Sequence, residues 1–102
     1  MEEVKESINP DYKAQIIHAI EYHYPHAKIY LFGSRARKTH REGADVDIAL
    51  DNGSRIPLGE MSRTRVTLEN LRVPLMVDIV DMHRIPDNLK ETILKEGVVW
   101  KG

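Results

Sequence analysis

In the first third of the chain the apolar residues follow first the period of a helix and then the composition of a strand. Asn9-Pro10 predicts a helix start, since Asn caps the first turn and Pro fits the first helical position. Apolar side chains at steps of three and four residues then predict one buried helix face, made of Tyr12, Ile16, Ala19, Ile20 and Tyr24. Pro25 ends this helix, because the residue before proline is pushed out of the α region. Residues 28–32 are rich in β-branched and aromatic side chains and are predicted to form a strand.

A period of two marks the next apolar segment. Residues 33–44 are polar, with a short helix expected from Ser34, and residues 45–50 then alternate as a strand does. On such a strand one face is apolar and consists of Val46, Ile48 and Leu50. The other face carries the acids and consists of Asp45, Asp47 and Ala49. Residues 51–54 are predicted to form a turn.

The second half of the chain predicts two more helices and two more strands. A helix is expected over about residues 58–71, a strand over 75–80, a helix over 86–96 and an edge strand over 98–100. The inward residues of the two helices are expected to be Leu58, Met61, Leu68 and Leu71, then Leu89 and Ile93. This order predicts a sheet with helical cover, of α/β or α+β class. A length of 102 residues predicts a single domain over residues 1–102.

The amino-acid composition excludes several classes of function. Fifteen basic residues oppose sixteen acidic ones, so the net charge is -1, and no aromatic stacking platform is evident. Direct nucleic-acid binding is therefore not expected. The absence of cysteine excludes disulfides, thiolate metal sites and a Cys nucleophile. No apolar run approaches the ~18 residues that span a bilayer, and the acidic first residues do not resemble a signal peptide. We expect a cytoplasmic protein that does not bind membranes.

The polar segment after the first strand has features of a phosphate site. Gly33-Ser34 permits a sharp turn whose backbone N–H groups can hold phosphate oxygens, although an ordinary strand-to-helix turn has the same signature. Residues 28–41 include five basic residues and no acid. Of these, Arg35 and Arg37 are closest to the turn and are the favoured phosphate ligands. The alternative is a solvated basic loop.

Three carboxylates are the candidate catalytic groups. Asp45 and Asp47 lie two apart on one strand, so they face the same way and can share a hard cation such as Mg²⁺. Asp78 lies in an apolar run, where a carboxylate is costly unless it is paired or bound to metal. The alternatives are a solvated strand face for the pair, and a salt bridge or an edge strand for Asp78. Asp81 falls on the opposite face and is discounted. Together the three predicted acids could form a two-metal site.

The spacing of these motifs resembles a known family. Gly33-Ser34, ten residues, then Asp45-Val46-Asp47, with Phe32 before and Arg35-Ala36-Arg37 after, resembles the minimal nucleotidyltransferases of the superfamily that includes DNA polymerase beta. The resemblance implies a small mixed sheet flanked by helices, and transfer of AMP from ATP to a hydroxyl with release of pyrophosphate. It implies that Gly33 and Ser34 bind the triphosphate and that Asp45 and Asp47 hold two Mg²⁺ ions. Asp78 would complete the catalytic metal site and help to deprotonate the acceptor.

The same resemblance implies a partner. Stand-alone members of the family are often antitoxins of HEPN-domain toxins, so this chain would be a type VII-like antitoxin that adds AMP to a toxin tyrosine. The alternatives are a non-catalytic antitoxin that acts by binding, and an enzyme that modifies a small hydroxylated molecule such as an aminoglycoside. The chain could form a homo- or hetero-oligomer. The chain departs from the family pattern at Lys38, where glycine is usual, and at Ala44, where serine is usual; neither change removes a ligand.

Overall fold

The computed structural model describes residues 8–102, and its elements follow the predicted order. Within these residues there are four helices and four strands: α1 (Pro10–His23), β1 (Lys28–Phe32), α2 (Ser34–Arg37), β2 (Val46–Asp51), α3 (Leu58–Glu69), β3 (Val77–Asp81), α4 (Asp87–Glu96) and β4 (Val98–Lys101). The predicted α/β (α+β) class is confirmed. The largest difference in boundaries is at β3, which begins and ends later in the chain than expected.

The four strands form one mixed sheet in the order β3-β2-β1-β4. β1 is antiparallel to both β2 and β4, whereas β2 and β3 are parallel. Parallel neighbours need a crossover connection, and α3 supplies it. This is the small mixed sheet flanked by helices that the resemblance implied.

The first helix confirms the prediction made from its capping residues. The Asp11 backbone N–H donates to Asn9 Oδ1 at 2.8 Å, and Pro10 occupies the first turn. Ile16, Ile20 and Tyr24 are buried, as the helical period predicted. Each fully buried aliphatic side chain contributes roughly 1.5–3 kcal/mol to stability, so this face attaches α1 firmly to the sheet.

The two faces of the sheet pack against different helices and form hydrophobic clusters of different size. One face presents aliphatic side chains to α1 and α3, and these form the main core: Ile29, Leu31, Val46, Ile48, Leu50 and Ile79, with Met61 and Leu68 of α3. The other face has a smaller cluster in which Ile93 of α4 packs with Tyr30, Ala49 and Met82. Because side chains alternate along a strand, the residues between the core residues all point to this second face.

Leu58 does not face the core, contrary to the prediction. Its side chain is 64% exposed, whereas Met61, Thr64 and Leu68 of the same helix are buried. The reason is that α3 begins at Leu58, one turn before its first buried residue. Thr64 takes a place in the packed face because its hydroxyl bonds to Tyr24 Oη at 2.9 Å and to the Glu60 carbonyl at 2.9 Å.

No helix within residues 8–102 combines the length and the apolar character needed to cross a bilayer.

Asp81, at the end of β3, is a structural carboxylate. Only 3% of the residue is exposed, and it points to the core side of the sheet. The backbone N–H of Ile56 donates to its Oδ2 at 2.7 Å, and that of His83 donates to its Oδ1 at 2.9 Å. Arg84 Nε lies 3.6 Å from Oδ2. The carboxylate therefore joins the segment before α3 to the segment after β3.

We predict that Asp81→Ala destabilises the protein by about 2–3 kcal/mol, because a buried N–H then lacks its acceptor. Urea unfolding measures the change. Asp78→Ala is the matched control, since Asp78 is an exposed acid of the same strand; its effect should stay within about 0.5 kcal/mol. Equal effects of the two substitutions would contradict the structural role of Asp81.

Candidate active site

The three predicted acids lie together at the start of β2 and β3. Asp47 and Asp78 are register partners on parallel strands, so both side chains leave the same face of the sheet. Asp45 is exposed and immediately precedes β2. Partial burial, and then the charges of Asp78 and Asp45, raise the pKa of Asp47 above its ordinary value. The three carboxylates thus share one electrostatic environment, as the sequence predicted.

The surroundings of Asp78 differ from the expectation. The apolar residues around it predicted an expensive buried position, but Asp78 is exposed. Two features explain this: β3 is an edge strand, and the α4 cluster packs against the second face through Ala49 and Val80, further along β2 and β3. The edge-strand alternative is therefore the correct one. Its register with Asp47, rather than burial, brings Asp78 to the candidate site.

The donor set fits a hard divalent cation. Carboxylate oxygens are the protein ligands that Mg²⁺ takes, and it also keeps positions open for water and phosphate. In the described part of the chain no three acidic or histidine side chains already close around a metal position. This is expected of carboxylates that repel one another. The raised pKa of Asp47 agrees, because burial and the nearby acids outweigh the opposing charge of Arg37.

Gly33 brings the turn after β1 against Asp47. Its φ is +76°, in the region that favours glycine, and a Cβ at this position would lie 2.5 Å from Asp47 Oδ2. Only glycine therefore allows this approach without displacing the carboxylate. Ser34 follows as the first residue of the short helix α2, as predicted. The turn and the acid pair are thus parts of one site.

Arg35 is anchored to the loop that leads to the acids. Only 6% of the residue is exposed, and its Nε and Nη2 donate to the Ala44 carbonyl at 3.1 and 2.8 Å. This contact holds the backbone one residue before Asp45. Since Ala44 contributes its carbonyl, the side chain at that position is not needed for the contact. That Arg35 also binds nucleotide stays a prediction.

Arg37 lies on the open side of the same short helix. Its guanidinium is exposed, and one of its nitrogens lies 3.9 Å from Glu96 Oε2 at the end of α4. The positive charge of Arg37 offsets part of the rise in the pKa of Asp47. The sequence does not indicate that Arg37 pairs with Glu96, because the periodicity within α2 and α4 does not show that these two helices meet. Arg37 is thus the basic residue placed between the acids and α4.

Lys38 ends α2 in a left-handed conformation. Its φ of 59° and ψ of 32° make it the only non-glycine residue with positive φ among residues 8–102. Its N–H bonds to the Arg35 carbonyl at 3.2 Å. The turn is therefore kept although the residue is not the glycine that is usual in the family. The left-handed conformation costs a side-chain-bearing residue about 1 kcal/mol.

Comparison with known proteins assigns this fold to a class. The family model described as polymerase beta, nucleotidyltransferase matches residues 14–101, and the chain belongs to that family. No curated protein sequence matches it significantly.

Several solved structures share the fold. A toxin–antitoxin structure with AMP-PNP is 24% identical with a TM-score of 0.75, and the match covers 88% of this chain and 73% of that one. A tri-AMPylated Shewanella oneidensis HEPN toxin in complex with MNT antitoxin is 22% identical with a TM-score of 0.70, covering 89% and 71%. A structure assigned as a minimal nucleotidyltransferase is 27% identical with a TM-score of 0.68, covering 86% and 91%.

We predict that Asp47→Asn stabilises the metal-free protein at neutral pH. A raised carboxyl pKa means that the folded state binds the proton more tightly than the unfolded state. Stability therefore falls as pH rises through the folded pKa, and above it the ionised group destabilises the fold. Because the site is open to solvent, the gain should be small, about 0.5 kcal/mol. Urea unfolding at neutral and acidic pH checks it: the advantage of the variant should vanish in acid, and an advantage that does not depend on pH would refute an origin in the Asp47 charge.

We predict that Lys38→Gly raises the free energy of unfolding by up to about 1 kcal/mol, because glycine adopts the left-handed conformation without the side-chain cost. The greater entropy of unfolded glycine sets the upper limit. Lys95→Gly, in the last turn of α4, is the opposite control and should destabilise by up to about 1 kcal/mol. Thermal unfolding of both variants measures the difference, and destabilisation by Lys38→Gly would show that the side chain has a stabilising contact.

Proposed function

We propose that the chain is a Mg²⁺-dependent nucleotidyltransferase that moves AMP from ATP to a tyrosine hydroxyl of a HEPN-domain toxin, as a type VII-like antitoxin. The observation that carries this is the in-register pair Asp47 and Asp78, with Asp45 and the Gly33 turn against it, in a chain of the nucleotidyltransferase family. The structures with AMP-PNP and with AMPylated HEPN toxin support the choice of nucleotide and acceptor. We place the reaction in the cytoplasm.

In this proposal each site residue has one task. Asp45 and Asp47 would hold two Mg²⁺ ions, with Asp78 completing the set. When bound, the ions neutralise phosphate charge and lower the pKa of the attacking hydroxyl. The Gly33-Ser34 turn offers backbone donors to the triphosphate, and exposed Arg37 adds positive charge beside it. Arg35 holds the loop that positions Asp45, whether or not it also contacts phosphate.

The reaction is a displacement at the α-phosphorus of ATP. The acceptor oxygen forms a new bond to that phosphorus, and the bond from it to the oxygen that bridges to the β-phosphorus breaks. Pyrophosphate leaves with that oxygen, and the hydroxyl proton passes to the Asp78 carboxylate and then to solvent. Positioning and charge neutralisation supply most of the acceleration in such reactions, so the backbone that fixes these groups matters as much as the acids.

We predict that Asp47→Asn lowers AMP transfer at least about a thousandfold, since loss of a metal-holding carboxylate removes several kcal/mol of charge stabilisation. The fold should remain intact. The assay is labelled ATP with Mg²⁺ and a purified HEPN-domain toxin, followed by mass spectrometry of the toxin. Asp87→Asn is the matched control, because Asp87 is an exposed acid in the first turn of α4.

The same assay separates the competing functions. Transfer at the wild-type rate by Asp47→Asn refutes the assignment of the site. If the toxin stays unlabelled and is neutralised equally well after replacement of Asp45 and Asp47, the chain is a binding antitoxin without catalysis. Label on an added aminoglycoside, and none on protein, indicates a small-molecule nucleotidyltransferase.

A further inference from the structure

Arg37 is the basic side chain that the fold leaves open beside the Gly33 turn. Its backbone N–H donates to the Gly33 carbonyl at 3.2 Å, so the residue is fixed to the turn itself. The other predicted phosphate ligand, Arg35, is buried and donates to the Ala44 carbonyl. Arg37 is instead half exposed, and its charge offsets part of the rise that burial and the neighbouring acids cause in the pKa of Asp47. Its guanidinium therefore lies near both the turn and the acids.

Glu96 is an unexpected residue at its position in the chain. It is the last residue of α4, and the C-terminal turn of a helix carries a partial negative charge that disfavours an acid. Lys95 beside it follows the usual preference for a basic residue there. Positions where a sequence departs from such a local preference are often functional ones. The reason for a carboxylate at this end of α4 is therefore sought outside the helix.

The end of α4 is packed closely against β1. The Gly97 N–H donates to the Ile93 carbonyl at 2.8 Å, and Ile93 itself is buried in the smaller cluster. A Cβ at Gly97 would overlap the Ile93 carbonyl oxygen and lie 3.2 Å from the Leu31 carbonyl oxygen, so only glycine lets the chain pass this close to the strand. Leu31 is two residues before Gly33. Glu96 is therefore carried by a fixed backbone next to the turn.

The contact between Glu96 and Arg37 attracts the guanidinium without occupying its donors. Arg37 Nη1 lies 3.9 Å from Glu96 Oε2, and both side chains are about half exposed. This distance is too long for a hydrogen bond, so the guanidinium N–H groups stay open to phosphate oxygens. A long side chain loses rotamer freedom when it binds a ligand, and that loss weakens binding. A nearby carboxylate reduces the loss, because it already restricts the guanidinium to the side of the turn.

We infer that Glu96 is a positioning residue of the nucleotide site. Its carboxylate keeps the Arg37 guanidinium beside the Gly33 turn, where the guanidinium binds the triphosphate of the incoming nucleotide. Glu96 acts only through Arg37, since a carboxylate and a phosphate repel each other. The inference rests on the part of the proposed function that places the triphosphate at this turn.

The test compares Glu96→Gln with Glu91→Gln in the full chain. Gln keeps the size of the side chain and removes its charge. Glu91 is the matched control, because it is an exposed acid of the same helix, two residues before buried Ile93 and so on the opposite face. AMP-PNP affinity with Mg²⁺ is measured by titration calorimetry. KM and kcat for ATP are measured with a purified HEPN-domain toxin.

We expect Glu96→Gln to weaken AMP-PNP binding and to raise KM for ATP by about two- to fivefold, the size of effect that an exposed ion pair supports. The kcat value should not change, because the contact is the same in the ground state and the transition state. Glu91→Gln should behave as wild type.

A double-mutant comparison shows whether Glu96 acts through Arg37. Arg37→Ala alone should weaken AMP-PNP binding more than Glu96→Gln does, since it removes the phosphate ligand itself. In the Arg37→Ala background, Glu96→Gln should have no further effect. A merely structural role of Glu96 predicts the opposite, because its effect would then persist without Arg37.

The outcomes separate this inference from the proposed function. If the wild-type chain transfers AMP and Glu96→Gln binds AMP-PNP as Glu91→Gln does, the inference is wrong and the proposed function stands. Tighter AMP-PNP binding by Glu96→Gln would show that the carboxylate competes with phosphate for Arg37, and the inference is again wrong. If the expected differences in AMP-PNP affinity are found but the wild-type chain transfers no AMP, the inference stands and the proposed function fails. A wild-type chain that binds no AMP-PNP overturns both.

Discussion

The parallel register between β2 and β3 is the constraint on which the site depends. It pairs Asp47 with Asp78 and, one residue further, the buried Ile48 with Ile79. A shift of one residue in β3 would turn Asp78 toward the α1 and α3 core and Ile79 toward solvent. The cost of burying an unpaired carboxylate opposes that shift. The aliphatic core thus fixes the geometry of acids that it does not itself contact.

The loop before β2 shows how the fold tolerates unfavourable groups around this site. Partial burial, and then the charges of Asp78 and Asp45, raise the pKa of Asp47, and Lys38 adopts a conformation that suits glycine. Against these costs, the Arg35 guanidinium makes two hydrogen bonds to the Ala44 carbonyl. Well-packed surroundings can hold such unfavourable local conformations and charges in place. Unfavourable local conformations of this kind cluster at functional sites.

Local patterns in the sequence predicted most of this arrangement, and pairing between distant segments was the missing information. The helix start at Asn9-Pro10 and the alternation around Asp47 depend on neighbours in the chain, so one sequence suffices for them. That β3 is an edge strand depends on the order of strands, which periodicity does not encode. For the same reason the buried contact of Arg35 was not predicted, and the exposure of Asp78 agrees only with the edge-strand alternative. The acids themselves were proposed as site residues from their type and spacing.

Two acids of β3 have different roles, because one stabilises the fold and the other lies in the candidate site. Asp81 and Asp78 lie on opposite faces because they are three residues apart, an odd number, on an alternating strand. Asp81 is buried and its oxygens are occupied by backbone N–H donors, so it joins two loops. Asp78 is exposed beside Asp47, where the proposed function would use its oxygens to hold a cation or to take the acceptor proton. The face that a carboxylate occupies, rather than its residue type or the apolar character of its neighbours, therefore decides which task it can perform.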